Sequence, residues 1–243
     1  MGSSPVHYAA ERGHPATMKV LLERKPNLIL KNGLAKTPLH LAAMGGHLEV
    51  VTLLLESPQS FKPSEEMPTP PPTAEEIAVV KYPTELPRAI LVDVRTSNNY
   101  TPLHMATIGE HDEVVAKLLE YTLNPNIQNF RLETPLHIAV LSGNLEIVRL
   151  ITRKIGQCNL TADQRNGNGY TALQLACRQN LATIVKLILP VSESPIRERE
   201  EKGPACALKI AYFRRHIATV RVIEEFLKAK GIKVPSYNFY GDI

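Results

Sequence analysis

The chain has 243 residues, a formal net charge of +4 and an isoelectric point near 8.9, a basic balance without the dense Lys/Arg runs that nucleic-acid binding draws on. It has no Trp, five Phe and eight Tyr, so its core must be built from Leu, Ile, Val and Ala. Three cysteines (Cys158, Cys177, Cys206) at wide spacing with no CxxC argue against a disulfide framework or a zinc site, and for a reducing compartment, cytoplasmic or nuclear. No apolar run reaches the length of a membrane span, and the N-terminus lacks a signal-peptide core.

The chain opens on short helices. The sequence predicts one over 5–12 and a second over about 15–24, with Met18, Val20, Leu21 and Leu22 available to pack. The next unit is the clearest. Thr37 can N-cap a helix, and Pro38 suits its first position, where no N–H is needed. Leu39, Leu41, Ala42 and Ala43 follow, and Gly45-Gly46 ends the helix. A second helix starts near His47 and carries Leu48, Val51, Leu54 and Leu55 at three- and four-residue spacings.

Residues 57–92 break the pattern with eight prolines and two acidic pairs. Two readings stand. One is a surface insertion, with a helix over 73–82 started by a Thr73–Glu76 capping box. The other is a degenerate copy of the helix pair beginning at Thr69, although Pro83 would fall inside its second helix.

The helix pair then returns. Copies begin at Thr101 and Thr134, with second helices built on Val114, Val115, Leu118, Leu119 and on Leu145, Ile147, Val148, Leu150, Ile151. A fifth begins at Thr171 behind the Gly169 turn, and a worn sixth at Cys206 after a polar loop over 190–202. Its helices fall around 207–214 and 218–228. Counting a first copy from Ser4, the separations are 37−4 = 33, 101−37 = 64, 134−101 = 33, 171−134 = 37 and 206−171 = 35. The tail, 232–243, holds Tyr237, Phe239 and Tyr240, and either folds back on the last copy or serves as a docking peptide.

The segment TPLHLAAMGGHLEVVTLLL, with TPLHMA at 101 and TPLHIA at 134, resembles the ankyrin repeat, whose signature is TPLHxA at a period of 33. The resemblance implies an all-α solenoid, one domain over 1–243, with short hairpin fingers between helix pairs. At the first finger, Leu34-Ala35 replaces the Asp-Gly turn of the family. The loss of Gly predicts a distorted finger.

The histidines recur in two registers: His7, His40, His104 and His137, and His14, His47, His111 and His216. One copy per repeat does not make a convergent catalytic constellation. The resemblance implies structural roles instead: the TPLH histidines tie neighbouring fingers, and the second set are turn residues before helix B. With no hydrolase, metalloprotease or phosphate-loop motif, neither a catalytic residue, a metal ligand nor a cofactor is predicted.

The resemblance implies a concave groove that receives a partner protein or peptide. Carried onto this chain, the groove reads Arg12, Met44, Ile108, Leu141, Arg178, Phe213 and Arg214 along the helix A ends, and Tyr100, Phe130, Arg131 and Tyr170 along the fingers. Aromatics and Arg are the types enriched at interface hot spots. Nucleic acid is disfavoured, because Glu224 and Glu225 interrupt the basic C-terminal end. The expectation is a non-catalytic interaction module, monomeric alone; the alternative is the substrate-recruiting arm of a larger enzyme, or of a pathogen effector acting in host cytoplasm.

Overall fold

The computed structural model describes residues 2–57, 91–192 and 206–234, and among them the protein is a run of helix pairs without a strand. The pairs are α1 (Pro5–Glu11) and α2 (Pro15–Glu23), α3 (Pro38–Met44) and α4 (Leu48–Glu56), α5 (Pro102–Ile108) and α6 (Asp112–Tyr121), α7 (Pro135–Ser142) and α8 (Leu145–Gln157), α9 (Ala172–Arg178) and α10 (Ala182–Ile188), and α11 (Ala207–Phe213) and α12 (Ile217–Ala229). The predicted helix at 73–82, the loop at 190–202 beyond residue 192, and the tail from 235 lie outside the described residues.

The contacts group into two compact units, residues 1–130 and 131–243. In the first, α1 packs on α3 and α3 on α5, with α2, α4 and α6 as the second row. Repeats 2 and 3 are immediate neighbours despite the 101−37 = 64 residues between their starts: α3 lies against α5, and Lys117 of α6 reaches Glu56 of α4 at 3.1 Å. In the second unit α7, α9 and α11 form one row and α8, α10 and α12 the other.

Each A helix starts in the same way. Thr37, Thr101, Thr134 and Thr171 hold extended backbone, and a reciprocal capping box links each to the residue three positions on. Ser4 does the same for α1. The B helices supply the core: Val51, Val115, Val148 and Val185 are fully buried at equivalent positions, with Leu54, Leu118, Ile151 and Ile188 beside them. Each large aliphatic side chain buried in this way contributes roughly 1.5–3 kcal/mol.

Two packing expectations need correction. Val20 is exposed, because it lies on the outer side of α2, where no further helix pair packs among the described residues. Leu145 is also exposed; it is the first residue of α8, and that turn looks to solvent.

The fingers are not distorted. Ala35 takes a left-handed φ of 55°, Asn99 58° and Leu132 56°, where Gly169 takes 78°. What shapes the turn is the residue five positions before the Thr. Asn32 Oδ1 accepts from Leu34 N–H and Lys36 N–H, both at 3.0 Å, and Asn166 Oδ1 accepts from Asn168 N–H at 3.1 Å and Tyr170 N–H at 3.0 Å. Thr96 substitutes with its hydroxyl, which accepts from Tyr100 N–H at 3.1 Å. Side-chain acceptors of this kind hold a turn in shape without glycine.

Candidate partner-binding surface

The first histidine register and three rings of the second are built into the scaffold, while His14, before α2, is exposed. The His40 ring is buried; its Nδ1 accepts from Thr37 N–H at 3.2 Å and lies 2.8 Å from the Thr37 hydroxyl, while Nε2 faces the Tyr100 carbonyl at 3.0 Å. A carbonyl can only accept, so Nε2 carries the proton. His137 repeats the arrangement with Thr134 and the Tyr170 carbonyl, and His7 with Ser4 and the carbonyls of Leu30 and Lys36. His104 closes the same box with Thr101. Burial pushes the pKa of His40 from its ordinary 6.5 to about 3, helped by the charges of Lys31 and Lys36; burial also lowers that of His137.

The second register does more than end a turn. His47 Nε2 donates to the Glu11 carbonyl and His111 Nε2 to the Met44 carbonyl, both at 3.1 Å, and His216 Nδ1 to the Cys177 carbonyl at 2.8 Å. Each ring donates to a carbonyl near the end of the preceding A helix, where the last carbonyls run out of intrahelical donors; that of Cys177 also accepts from Asn180 N–H at 3.4 Å. Glycine makes room for the ring: a Cβ on Gly45 would sit 2.5 Å from His47 Nε2, and one on Gly46 2.5 Å from His111 Nδ1.

The residues predicted to contact a partner divide between the units. In the first, Arg12 is the exposed C-cap of α1, and Met44 and Ile108 are the last residues of α3 and α5, 45% and 46% exposed. Tyr100 is half-buried; its ring meets His104 edge-on at 5.7 Å and Phe130 at 6.0 Å. Phe130 itself is exposed, its N–H bonded to the Asn98 carbonyl at 3.0 Å. Lys36 Nζ lies 3.5 Å from the Met44 sulfur. Tyr100 and Phe130 therefore form a pair on neighbouring fingers, and Met44 and Ile108 are surface rather than core.

In the second unit, Leu141 on the last turn of α7 is 47% exposed, and Arg178 ends α9 with its guanidinium 5.5 Å from the centre of the Tyr170 ring. Phe213 ends α11, 69% exposed, with Lys209 Nζ 6.0 Å from its ring centre; Arg214 is the exposed C-cap. The carbonyl of Arg131 accepts from Gly167 N–H at 2.7 Å, tying two fingers together. Sequence reasoning missed Leu34 and Leu132, exposed apolar residues at the finger turns. Leu34 precedes the left-handed Ala35, and Leu132 is itself the left-handed residue of its finger.

Among the described residues no group of His, Cys, Asp and Glu is arranged to hold a metal ion, and no disulfide forms. Burial, with Cys206 nearby, pushes the Cys177 thiol up to about 12, which suits a structural rather than a reactive cysteine. No helix among the described residues is long and apolar enough to cross a membrane.

The family model for ankyrin repeats (three copies) matches residues 1–64 and 77–162. The chain belongs to the ankyrin-repeat family. Ankyrin repeats are protein–protein interaction modules that bind protein partners. Relatives include NF-kappa-B inhibitor alpha of Sus scrofa, 37% identical over 91 residues that make up 37% of this chain and 29% of the relative. Transient receptor potential cation channel subfamily A member 1 of Homo sapiens is 34% identical over 101 residues, 41% of this chain and 9% of the relative. The nuclear factor NF-kappa-B p105 subunit of Gallus gallus is 27% identical over 127 residues, 52% of this chain and 13% of the relative. The ankyrin chain thus spans less than a third of the length of each.

Proposed function

We propose that this ankyrin chain holds a partner protein or peptide, without catalysing a reaction, on the ridges that the ends of its A helices and its fingers form in each unit. The contact residues are Arg12, Met44, Tyr100, Ile108 and Phe130 in the first unit, and Arg131, Leu141, Tyr170, Arg178, Phe213 and Arg214 in the second. One observation carries the proposal. The last turns of α3, α5, α7 and α11 each leave a large apolar side chain between 45% and 69% exposed, where a solvated surface needs none. Cytoplasm or nucleus is the compartment we assign, since the cysteines stay unlinked.

The test is capture from cell lysate with wild type beside an Ile108→Arg/Phe213→Glu variant, both checked by circular dichroism. A protein retained by wild type and lost by the folded variant is the expected result. Equal retention by both removes these ridges as the site. A second reading, the recruiting arm of a larger enzyme or effector, draws on the small share of each relative that the chain spans. A full-length transcript encoding a catalytic domain in the same frame decides it.

A further inference from the structure

The second unit differs from the first in a way that bears on what its ridge can hold. Among its described residues 14 Lys and Arg stand against 5 Asp and Glu, a formal 14 − 5 = +9, whereas the first unit has 8 − 9 = −1. The modest charge of the whole chain therefore hides a strong division. In the first unit both cations of the B helices are matched. Lys19 pairs with Glu49 at 3.3 Å, and Lys117 with Glu56 at 3.1 Å and Glu120 at 3.0 Å. In the second unit the few carboxylates are largely engaged within the fold: Glu146 with Arg149 at 3.5 Å, Glu224 with the Tyr212 hydroxyl at 2.9 Å, and Asp163 with the Ser192 hydroxyl. Like charges gathered in this way repel one another within the folded unit and draw an anionic partner.

We infer that the partner segment held on the second unit's ridge is acidic, with apolar or aromatic anchors between its carboxylates. This partner class rests on the ridges being the contact surface, as proposed above. Arg131, Arg178 and Arg214 are exposed on the ridge, while Glu133, the carboxylate on the same finger as Arg131, is half-buried. A guanidinium can donate to both oxygens of one carboxylate at once. Exposed Leu141 and Phe213 stand among these cations; Lys209 Nζ lies 6.0 Å from the Phe213 ring centre, and the Arg178 guanidinium 5.5 Å from that of Tyr170. A segment that alternates acidic and apolar residues meets both chemistries. A purely charged polymer would leave Leu141 and Phe213 in water. Single-stranded nucleic acid fits less well, because its bases stack on open ring faces and a cation stands over each of these rings.

Biolayer interferometry on the whole chain tests the inference with three defined polymers. Poly(Glu,Tyr) carries both chemistries, poly(Glu) lacks the anchors, and oligothymidylate carries phosphates instead. Wild type is expected to hold poly(Glu,Tyr) most tightly of the three. Arg178→Glu/Arg214→Glu, checked by circular dichroism, should weaken that binding about tenfold. Arg214→Gln alone, at an exposed C-cap, should weaken it in the same direction and guards against a folding defect in the double variant. Lys186→Glu/Arg221→Glu changes the net charge equally on the exposed sides of α10 and α12, and should bind within about twofold of wild type. Absence of poly(Glu,Tyr) binding, poly(Glu) or oligothymidylate held as tightly, or equal losses from the two double variants overturns the inference. The ridges themselves stand or fall separately. A lysate protein lost with Ile108→Arg/Phe213→Glu, in a chain indifferent to poly(Glu,Tyr), keeps the ridges as the site and removes only the acidic partner.

Discussion

Acidification should weaken this fold through its buried TPLH histidines, and His40 sets the size of the effect. Its Nδ1 faces the Thr37 N–H, so a proton there would oppose one donor to another and break the capping box. The folded pKa of about 3 lies below the ordinary 6.5 of an unfolded chain, so the unfolded state binds the proton first. The stability from a neutral His40 is therefore fully present above pH 6.5 and is lost progressively as pH falls from 6.5 toward 3. At pH 5 the folded ring is still neutral, and the loss is about 1.36 × (6.5 − 5), or roughly 2 kcal/mol. His137 acts in the same direction. A variant isolates the His40 share. Gln174 occupies the equivalent place in α9, where its Oε1 accepts from Thr171 N–H at 2.8 Å, so His40→Gln keeps a cap without a titrating ring. Urea unfolding of wild type and His40→Gln at pH 7 and pH 5 cancels every other ionisable group in the difference. The expected result is a wild-type advantage of about 1 kcal/mol at pH 7 that reverses by pH 5. An advantage of the same size at both pH values would refute the reasoning.

Other substitutions test the scaffold. Ala35→Gly should raise stability by about 0.5–1 kcal/mol in urea unfolding, because an L-residue in the left-handed region costs more than the extra freedom glycine brings to the unfolded chain. Asn166→Ala, which strips the acceptor from two backbone N–H groups of the finger, should cost about 1–3 kcal/mol in the same assay. Gly46→Ala should cost about 1–3 kcal/mol by driving a Cβ into the His111 ring, and a double-mutant cycle with His111→Ala should recover part of that loss. Ile151→Ala in the core should cost about 2–5 kcal/mol by thermal or urea unfolding, whereas exposed Ile108→Arg should change stability by less than about 0.5 kcal/mol.

The repeat was legible because its signals are local. Thr at the N-cap, Pro at the first helical position and Leu or Val at three- and four-residue spacings place the helix pairs to within about two residues. The finger turn was misread for the opposite reason. Glycine is the visible mark of a left-handed residue, but here Asn32 or Thr96, three positions ahead, hold the turn and let Ala35 or Asn99 adopt it. The role of the second histidine was hidden because its partner carbonyls, those of Glu11 and Met44, lie 36 and 67 residues away. Val20 failed because its helical pattern says that a side faces a neighbour, and in the first pair that neighbour is absent among the described residues.

The two histidine registers also bear on the proposed ridges. His111 bonds the carbonyl of Met44, His40 that of Tyr100, His137 that of Tyr170 and His7 that of Lys36. Each of these ties the backbone of a residue that is on or beside a ridge, while its side chain still reaches the surface. Loops that carry contacts are usually mobile, and ordering them on binding costs affinity. Here the ordering cost falls on folding instead, met by the buried rings of His7, His40 and His137, which also hold the caps, and by the half-buried ring of His111. The consequence is that the scaffold and the ridges are coupled through backbone carbonyls. His40→Gln should therefore weaken a partner that rests on Tyr100 more than one that rests on Ile108, even where both variants remain folded. Partner affinity measured with Tyr100→Ala and His40→Gln, singly and together, reads that coupling; additive losses would mean that the ring holds the fold and nothing more.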